Sequence, residues 1–288
     1  MKLAHLTPNP DLSPRLAVIK GSHAVFAAEL GCAAKTLQQL LESEPKAYAD
    51  LQSAATSLQP GTGTKLSDLQ YGPSVISPPV TLAVGLNYSE HANELSLDND
   101  AGPVLFSLFP NSLAPHNGTV ELPTHLTREV DYEGELGVII GKEAKNLTPE
   151  NALDHVFGYT VVNDLTARNL QFAEPQWSRC KSFDGFTPVG PVVVTADEIP
   201  DPQQLKITTE FDDLRVQDSS TSFMVRSVKQ LLVTISQSLT LKPGTMISTG
   251  SPGGAGRSRK PPLYLKDGTV VTVTIEKIGA LTTHAVEV

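Results

Sequence analysis

Cysteine, positive charge and long apolar runs are all scarce in this chain of 288 residues. The two cysteines, Cys32 and Cys180, form no Cys-x-x-Cys pair, which favours a reducing, cytoplasmic compartment over a disulfide framework. Acidic residues outnumber basic ones by 31 to 22, so the formal net charge of -9 argues against a nucleic acid or an anionic membrane as partner. No apolar run approaches the length of a membrane span.

Proline and glycine are plentiful, with 22 and 21 residues, and long helical patterns are few. The sequence therefore predicts a mixed β fold with peripheral helices. A linker-like stretch at residues 59–64 separates a small α+β unit, residues 1–72, from a larger domain, residues 73–288. In the small unit we expect two strands around a Gly-Ser turn and one or two helices interrupted at Pro45.

Residues 131–141 contain the main chemical signal of the sequence. Alternating apolar and β-branched residues predict a single strand, in which Glu133 and Glu135 project to the same side with Asp131 behind them. Two adjacent buried carboxylates repel each other, and a hard divalent cation such as Mg²⁺ or Mn²⁺ removes that cost. The alternative is an edge strand with a solvated acidic face.

A second group of polar residues follows another apolar strand, residues 157–164. This strand ends in Asp164, and a helical turn after it brings Arg168 and Gln171 towards the same point. Lys181, in the next loop, is a candidate cation for a developing oxyanion or a substrate carboxylate. Each of these residues taken alone could instead be a helix cap or a solvated charge.

Two further segments predict local features. Residues 145–156, which include a Thr-Pro-Glu start signal, predict a helix. The glycine-rich loop at residues 250–256 lacks the lysine of a P-loop, so a nucleotide site is disfavoured. Its backbone N–H groups could instead approach the carboxylate of a small oxo acid.

His91 and Glu94 form a possible acid–base pair. If the segment is helical, the two side chains share one face, so the carboxylate can orient the imidazole and raise its basicity. Such a pair could polarise a water molecule. The alternative is a surface histidine beside a surface glutamate.

Six motifs together resemble the fumarylacetoacetate hydrolase family in their order and spacing, over about residues 73–288. They are Gly85-Leu-Asn-Tyr-Ser-Glu-His-Ala-Asn-Glu94, Asp131-Tyr-Glu-Gly-Glu-Leu136, Asn163-Asp-Leu-Thr-Ala-Arg-Asn-Leu-Gln171, Lys181-Ser-Phe-Asp184, Pro188-Val-Gly-Pro191 and Thr249-Gly-Ser-Pro252. The resemblance implies a β-roll or β-sandwich catalytic domain, usually in a homodimer, and a role such as aromatic catabolism. Residues 1–72 resemble the small N-terminal domain of many bacterial members.

The resemblance also implies roles for individual residues. The Mg²⁺ or Mn²⁺ ligands would be Glu133, Glu135 and Asp164. The catalytic groups would be Lys181 and a lid dyad formed by His91 and Glu94. The substrate contacts would be Arg168, Gln171, Ser251 and Tyr88. Three positions depart from the usual pattern: Leu108 replaces a common lysine, Asn169 replaces an aspartate and Ser251 replaces a threonine.

The implied activity is metal-dependent hydrolysis of a C–C bond in a 1,3-diketo or acylpyruvate-type acid, with water activated by His91 and Glu94. Oxaloacetate decarboxylation and isomerisation of a 2-hydroxy-diene-dioate would use the same enolate chemistry. A three-carboxylate phosphohydrolase and a scaffold with a vestigial metal site are the alternatives from other classes.

Overall fold

The computed structural model describes residues 1–90 and 103–288, which form mostly strands. The strands are β1 Lys2–Thr7, β2 Arg15–Lys20, β3 His23–Phe26, β4 Thr64–Lys65, β5 Gln70–Tyr71, β6 Thr81–Gly85, β7 Val104–Leu108, β8 Leu113–Ala114, β9 Gly118–Leu122, β10 Val130–Asp131, β11 Gly134–Ile140, β12 Val156–Asn163, β13 Thr166–Ala167, β14 Thr187–Thr195, β15 Lys206–Phe211, β16 Leu214–Ser220, β17 Met246–Ser248, β18 Val270–Ile275 and β19 Gly279–Glu287. The α-helices are α1 Leu37–Glu42, α2 Pro45–Ser57, α3 Arg168–Ala173 and α4 Val228–Ser238. Short 3-10 helices are Ala27–Leu30, Leu66–Asp68, Pro110–Ser112, Ala152–His155, Ala196–Glu198, Thr221–Phe223 and Gly256–Ser258. The mixed β fold with peripheral helices is therefore confirmed.

The larger sheet has the strand order β4-β3-β2-β1-β14-β12-β11-β17-β6-β7, with β5 beside β1 and β8 beside β14. Its N-terminal strands join the rest through β1, which runs antiparallel to β14 with Leu3 opposite Val193. Strands from residues 1–72 and from residues 73–288 thus share one sheet. The division into two domains at this boundary stays a prediction.

A second sheet, β16-β15-β18-β19-β9, packs against the centre of the first through β15, β18 and β19. The apolar core between the two sheets contains Leu136 and Val138 of β11 on one side and Ile207 and Val273 on the other. Since β11 is also flanked by β12 and β17, all seven of its residues are buried. The start of this strand therefore lies in a low-dielectric environment.

The peripheral helices follow local signals in the sequence. Pro45 occupies the first turn of α2, where its missing N–H costs no helical hydrogen bond. Ser227 and Gln230 form a capping box at the start of α4, which buries Leu231 and Ile235. In the described part of the chain, every helix is too short or too polar to cross a membrane.

The acidic stretch at residues 131–141 is two strands, so the prediction of one continuous strand is wrong. Tyr132 and Glu133 interrupt it, and β10 pairs with β13 in a separate small sheet. The interruption has a local cause: Asp131 Oδ1 accepts a hydrogen bond from the N–H of Tyr132 at 2.9 Å, which withdraws that N–H from strand pairing.

The helix predicted for residues 145–156 is also largely absent, and a 3-10 turn at Ala152–His155 is what forms there. Asn146 has a positive φ of 51°, which a helix does not allow. Its N–H donates to the carbonyl of Ser236 in α4, and the N–H of Leu147 donates to the hydroxyl of Ser236. Tertiary hydrogen bonds to α4 thus replace the helical ones.

His5 of β1 is buried between the N-terminal strands and α1. The N–H of Leu37 donates to its Nε2 at 2.9 Å, and its Nδ1 lies 2.9 Å from the carbonyl oxygen of Pro73. These contacts are satisfied by the neutral ring with its proton on Nδ1. Burial lowers the pKa of His5 to about 4, although the backbone carbonyls of Pro73 and Ser74 raise it.

We predict that His5 makes the stability of the fold depend on pH. Between pH 6.5 and about 4 the unfolded chain binds a proton that the folded chain does not, so stability is full above this window and falls as pH falls through it. The loss between about pH 7 and about pH 5 should be about 2 kcal/mol. Urea unfolding at both pH values, with wild type and His5→Gln, measures it. Equal pH dependence in the two proteins would contradict the prediction.

Candidate metal centre

The candidate metal centre forms where β11 begins and β12 ends. The two strands are antiparallel with Gly134 opposite Asn163, so the residues next to this pair, Glu133 and Asp164, become neighbours. The N–H of Asp164 donates to the carbonyl of Glu133 at 2.8 Å, and the N–H of Glu133 donates to Asn163 Oδ1 at 3.1 Å. Backbone pairing therefore positions the two carboxylates.

The second sheet packs so closely against position 134, between the two glutamates, that a glycine is needed there. A Cβ at this position would lie 2.4 Å from Thr209 Oγ1 and 2.8 Å from Val273 Cγ1. Because neighbouring residues of a strand point to opposite faces, the side of Gly134 meets the second sheet and Glu135 points away from it. The Glu-Gly-Glu sequence is thus explained by close packing on one face and carboxylates on the other.

The three predicted metal ligands do come together. One carboxylate oxygen from each of Glu133, Glu135 and Asp164 lies within 4.8 Å of the others, and all three side chains are buried. Glu135 Oε2 accepts hydrogen bonds from Ser248 Oγ at 2.6 Å and from the N–H of Gly250 at 2.8 Å. Asp164 Oδ1 is buried and has no hydrogen-bond partner among the described residues.

Lys181 lies inside the same cluster. Its Nζ donates to Glu133 Oε2 at 2.7 Å, to Asp164 Oδ2 at 2.6 Å and to Thr166 Oγ1 at 2.9 Å. Burial alone would lower the pKa of Lys181, but the carboxylates of Asp164, Glu133 and Glu135 hold it above its ordinary value. The lysine is therefore a fixed positive charge beside the carboxylates.

Burial and mutual repulsion disfavour the ionised carboxylates. Burial raises the pKa of Glu135 well above its usual range, and the charges of Asp164 and Glu133 raise it further. Burial also raises the pKa of Asp164 to about 6, although Lys181 lowers it. A group that carries additional positive charge would relieve both penalties.

Arg168, expected to contact substrate, is instead fully buried and engaged by protein groups. Its Nε donates to Asp131 Oδ2 at 2.8 Å, its Nη2 lies 2.8 Å from Glu133 Oε1, and its Nη1 donates to Gln171 Oε1 at 2.9 Å. It does not border the pocket described below. This placement favours a role in orienting Glu133 and Gln171.

The glycine-rich loop also differs from the expectation. The N–H of Gly250 donates to Glu135, and the N–H of Gly256 donates to Asp131 Oδ1 at 2.8 Å. These two N–H groups therefore bind carboxylates of the protein itself and do not serve an external anion. The loop is held against the acidic segment at both of its ends.

Gln217 of β16 also belongs to the site, although no sequence pattern selects it. Its Oε1 accepts from the N–H of Gly134 at 3.0 Å and from Thr209 Oγ1 at 2.6 Å. Its Nε2 donates to Ser251 Oγ and to the carbonyl of Pro252, both at 2.9 Å. One buried amide thus links the Glu-Gly-Glu segment to the loop that carries Ser251.

A pocket of about 280 Å³, including the part that is open to solvent, leads to the carboxylates. It is lined by Val84, Gly85, Leu86, Phe106, Glu133, Glu135, Asp164, Gln171, Trp177, Lys181 and Ser251. Gln171, Ser251 and Lys181 thus lie where substrate could reach them. Tyr88 is buried outside this lining, and burial, with a smaller contribution from Glu135, raises the pKa of its phenol. His91 and Glu94 lie outside the described residues.

The family model for the C-terminal domain of fumarylacetoacetate (FAA) hydrolase matches residues 81–286, which include every residue of the cluster and its pocket. The chain belongs to the fumarylacetoacetate hydrolase family. Members of this family are enzymes, with hydrolases and isomerases among those of known structure. The homodimer and the cytoplasmic location stay predictions.

Three solved structures of the fumarylacetoacetate hydrolase family are similar over the whole chain. A fumarylacetoacetate hydrolase from Exiguobacterium antarcticum is 35% identical, with a TM-score of 0.86 and 100% of both chains covered. A 2-hydroxyhepta-2,4-diene-1,7-dioate isomerase from Mycobacterium marinum is 30% identical, with a TM-score of 0.75, covering 100% of this chain and 98% of that one. A maleylpyruvate hydrolase from Sphingobium sp. SYK-6, in complex with manganese(II) and pyruvate, is 27% identical, with a TM-score of 0.82, covering 100% of this chain and 99% of that one.

The residues present fit a divalent cation. Six side chains of aspartate, glutamate, lysine and arginine are buried in the described part of the chain, and all of them belong to this cluster: Asp131, Glu133, Glu135, Asp164, Arg168 and Lys181. Four carboxylates and two cations leave a formal deficit of two positive charges. An all-oxygen donor set with one unpartnered carboxylate oxygen, Asp164 Oδ1, suits a hard ion such as Mg²⁺ or Mn²⁺.

We predict that Asp164→Asn lowers the affinity for Mn²⁺ by roughly 100-fold, since it removes one anionic ligand while keeping the side-chain volume. Calorimetric titration of the chelator-treated protein with Mn²⁺ measures this. Asp213→Asn, in an exposed turn, is the matched control and should bind Mn²⁺ as wild type does. Unchanged affinity in Asp164→Asn would remove this residue from the ligand set.

Proposed function

We propose that the protein is a divalent-metal-dependent hydrolase that cleaves a C–C bond in a 1,3-diketo or acylpyruvate-type acid. The observation that carries this proposal is the buried cluster of Glu133, Glu135 and Asp164, which borders a pocket. Membership of the fumarylacetoacetate hydrolase family supports the same reaction class.

Glu133, Glu135 and Asp164 would hold Mg²⁺ or Mn²⁺, with the related manganese- and pyruvate-containing structure in support. Such a cation supplies positive charge that favours the enolate form of a 2-oxo acid. Arg168 and Lys181 hold the ligand carboxylates by ion pairs at 2.6–2.8 Å. The ligands are thus fixed before substrate arrives, which lowers the reorganisation needed in the reaction.

Other side chains of the pocket would act on the substrate. Because Gln171 Oε1 accepts from Arg168, its amide N–H₂ is the end that can donate to an oxyanion formed at the distal carbonyl. Lys181, which also lines the pocket, would stabilise the same oxyanion by its positive charge. Ser251, held by Gln217, would bind the substrate carboxylate through its hydroxyl group.

The water-activating groups in this proposal are His91 and Glu94, which lie outside the described residues. His91, oriented by Glu94, would take a proton from water, and the hydroxide would attack the distal carbonyl carbon. Cleavage of the C–C bond then releases a carboxylic acid, and the three-carbon fragment takes up a proton to become pyruvate. Water and the diketo acid together account for both products.

Isomerisation of a 2-hydroxy-diene-dioate is the second candidate. The observation in its favour is the 30% identity to the Mycobacterium marinum isomerase over the whole chain. An isomerase would use the same acid–base groups to move a proton along the enolate, without adding water. Oxaloacetate decarboxylation, the third candidate, would use the same enolate and needs no water.

We predict that the Mn²⁺-loaded protein releases pyruvate and acetate from acetylpyruvate, and that chelator treatment abolishes this release. His91→Ala should lower kcat by roughly 100-fold or more, since general-base catalysis contributes that much, while Mn²⁺ affinity stays unchanged. Chromatographic product assays, with oxaloacetate and a 2-hydroxy-diene-dioate in parallel, measure the reaction.

The parallel substrates separate the candidates. Pyruvate and CO₂ from oxaloacetate alone would replace the hydrolase by a decarboxylase, and a shifted double bond without pyruvate would replace it by an isomerase. Hydrolysis that survives in His91→Ala would contradict the proposal that His91 and Glu94 activate the water.

We also predict that Gln217→Glu weakens pyruvate binding to the Mn²⁺-loaded protein by about tenfold, with a smaller effect on Mn²⁺ affinity. Glutamate keeps an acceptor for the N–H of Gly134 but loses the donor to Ser251 and Pro252. Gln217→Leu removes the acceptor as well as the donor, so it should weaken the binding of both Mn²⁺ and pyruvate. Calorimetric titration with Mn²⁺ and then with pyruvate measures the two affinities. If Gln217→Glu and Gln217→Leu lose the same amount of each affinity, Gln217 has no separate role in holding the Ser251 loop.

A further inference from the structure

We infer that the acyl substituent of the substrate is uncharged, so that alkyl, alkenyl or aryl acylpyruvates are preferred over dicarboxylic acids. This inference rests on the proposed function, because it concerns the group beyond the carbonyl carbon that water attacks. It is carried by the wall of the pocket next to the carboxylate cluster.

The wall is aromatic and begins directly beside the cluster. The Phe106 ring centre lies 5.5 Å from Lys181 Nζ and 5.7 Å from the Trp177 ring, with an angle of 70° between the two ring planes. This edge-to-face arrangement is a favourable aromatic contact. Val84 and Leu86 line the same pocket. A substituent that extends from the cluster therefore meets apolar surface.

The wall is also rigidly packed. A Cβ on Gly85 would lie 2.5 Å from Cζ3 of Trp177, so the indole rests against the bare backbone of β6. Phe106 also belongs to a buried apolar cluster with Ala83 and Leu108, against which Trp177 packs. The apolar character of the wall thus continues below the surface.

A distal carboxylate would lack a partner at this wall. Among the described residues that line the pocket, Lys181 is the one cation, and its three N–H groups are bonded to Glu133, Asp164 and Thr166. Arg168 is buried outside the lining and paired with carboxylates. A carboxylate buried without a partner is strongly disfavoured.

Butanoylpyruvate and succinylpyruvate test the inference, since they differ in a terminal methyl group against a terminal carboxylate. Their hydrolysis gives pyruvate with butanoate or with succinate. With the Mn²⁺-loaded wild type we expect kcat/KM for butanoylpyruvate to be at least about tenfold higher. Equal values, or a preference for succinylpyruvate, would overturn the inference while leaving the proposed hydrolase intact.

A binding experiment keeps the test independent of the reaction. 2-Oxohexanoate and 2-oxoadipate are a second matched pair, and neither has the 1,3-diketone that hydrolysis requires. Calorimetric titration of the Mn²⁺-loaded protein should give at least about tenfold tighter binding of 2-oxohexanoate. If neither acylpyruvate is cleaved, the proposed function fails. The binding of 2-oxohexanoate and 2-oxoadipate then decides by itself whether the site prefers an uncharged substituent.

The variants Trp177→Lys and Trp177→Leu test whether the aromatic wall causes the preference for an uncharged acyl group. The lysine variant supplies a cation and should reduce the ratio of butanoylpyruvate to succinylpyruvate activity by about tenfold, whereas the leucine variant should keep the ratio near that of wild type. An unchanged ratio in Trp177→Lys, with Mn²⁺ binding retained, would contradict a role of this wall.

Discussion

The burial of four carboxylates and two cations where β11 begins and β12 ends is the constraint on which the rest of this structure depends. Buried charges are tolerated when each is paired and hydrogen-bonded. Asp131 accepts from Arg168 and from the N–H of Gly256, Glu135 accepts from Ser248 and Gly250, and Asp164 accepts from Lys181. The local structure of the acidic segment and of the glycine-rich loop follows from this need for donors.

The donors come from several elements because no single element can supply them. The antiparallel register of β11 and β12 brings Glu133 next to Asp164, and β17 ends at Ser248, two residues before Gly250. The second sheet contributes Gln217, whose amide bonds to both the acidic segment and the Ser251 loop. Packing of the two sheets therefore determines the geometry of the cluster, and the apolar core between them also stabilises the site.

Sequence patterns predicted the parts of the site that depend on local periodicity. Alternation predicted the strand that carries Glu135, and the end of an apolar run marked Asp164, while the resemblance to the family joined both with Glu133 in one ligand set. Contacts between residues distant in the chain left no such pattern. The pairing of Arg168 with Asp131, the donation of Gly256 to the same carboxylate and the role of Gln217 depend on how the sheets pack. The break at Tyr132 likewise follows from the side chain of Asp131.

The charges of the pocket also bear on the alternative of a phosphohydrolase. A phosphate group carries more negative charge than a carboxylate and is usually bound by several cationic or N–H donors. In the described lining the cation is Lys181, whose donors are already bonded, and the N–H groups of Gly250 and Gly256 donate to carboxylates of the protein. The groups that remain to bind a substrate are the carboxylate oxygens of the metal centre, the amide of Gln171 and the hydroxyl of Ser251. They lie beside an aromatic wall. Such a set suits a small oxo acid better than a phosphate ester.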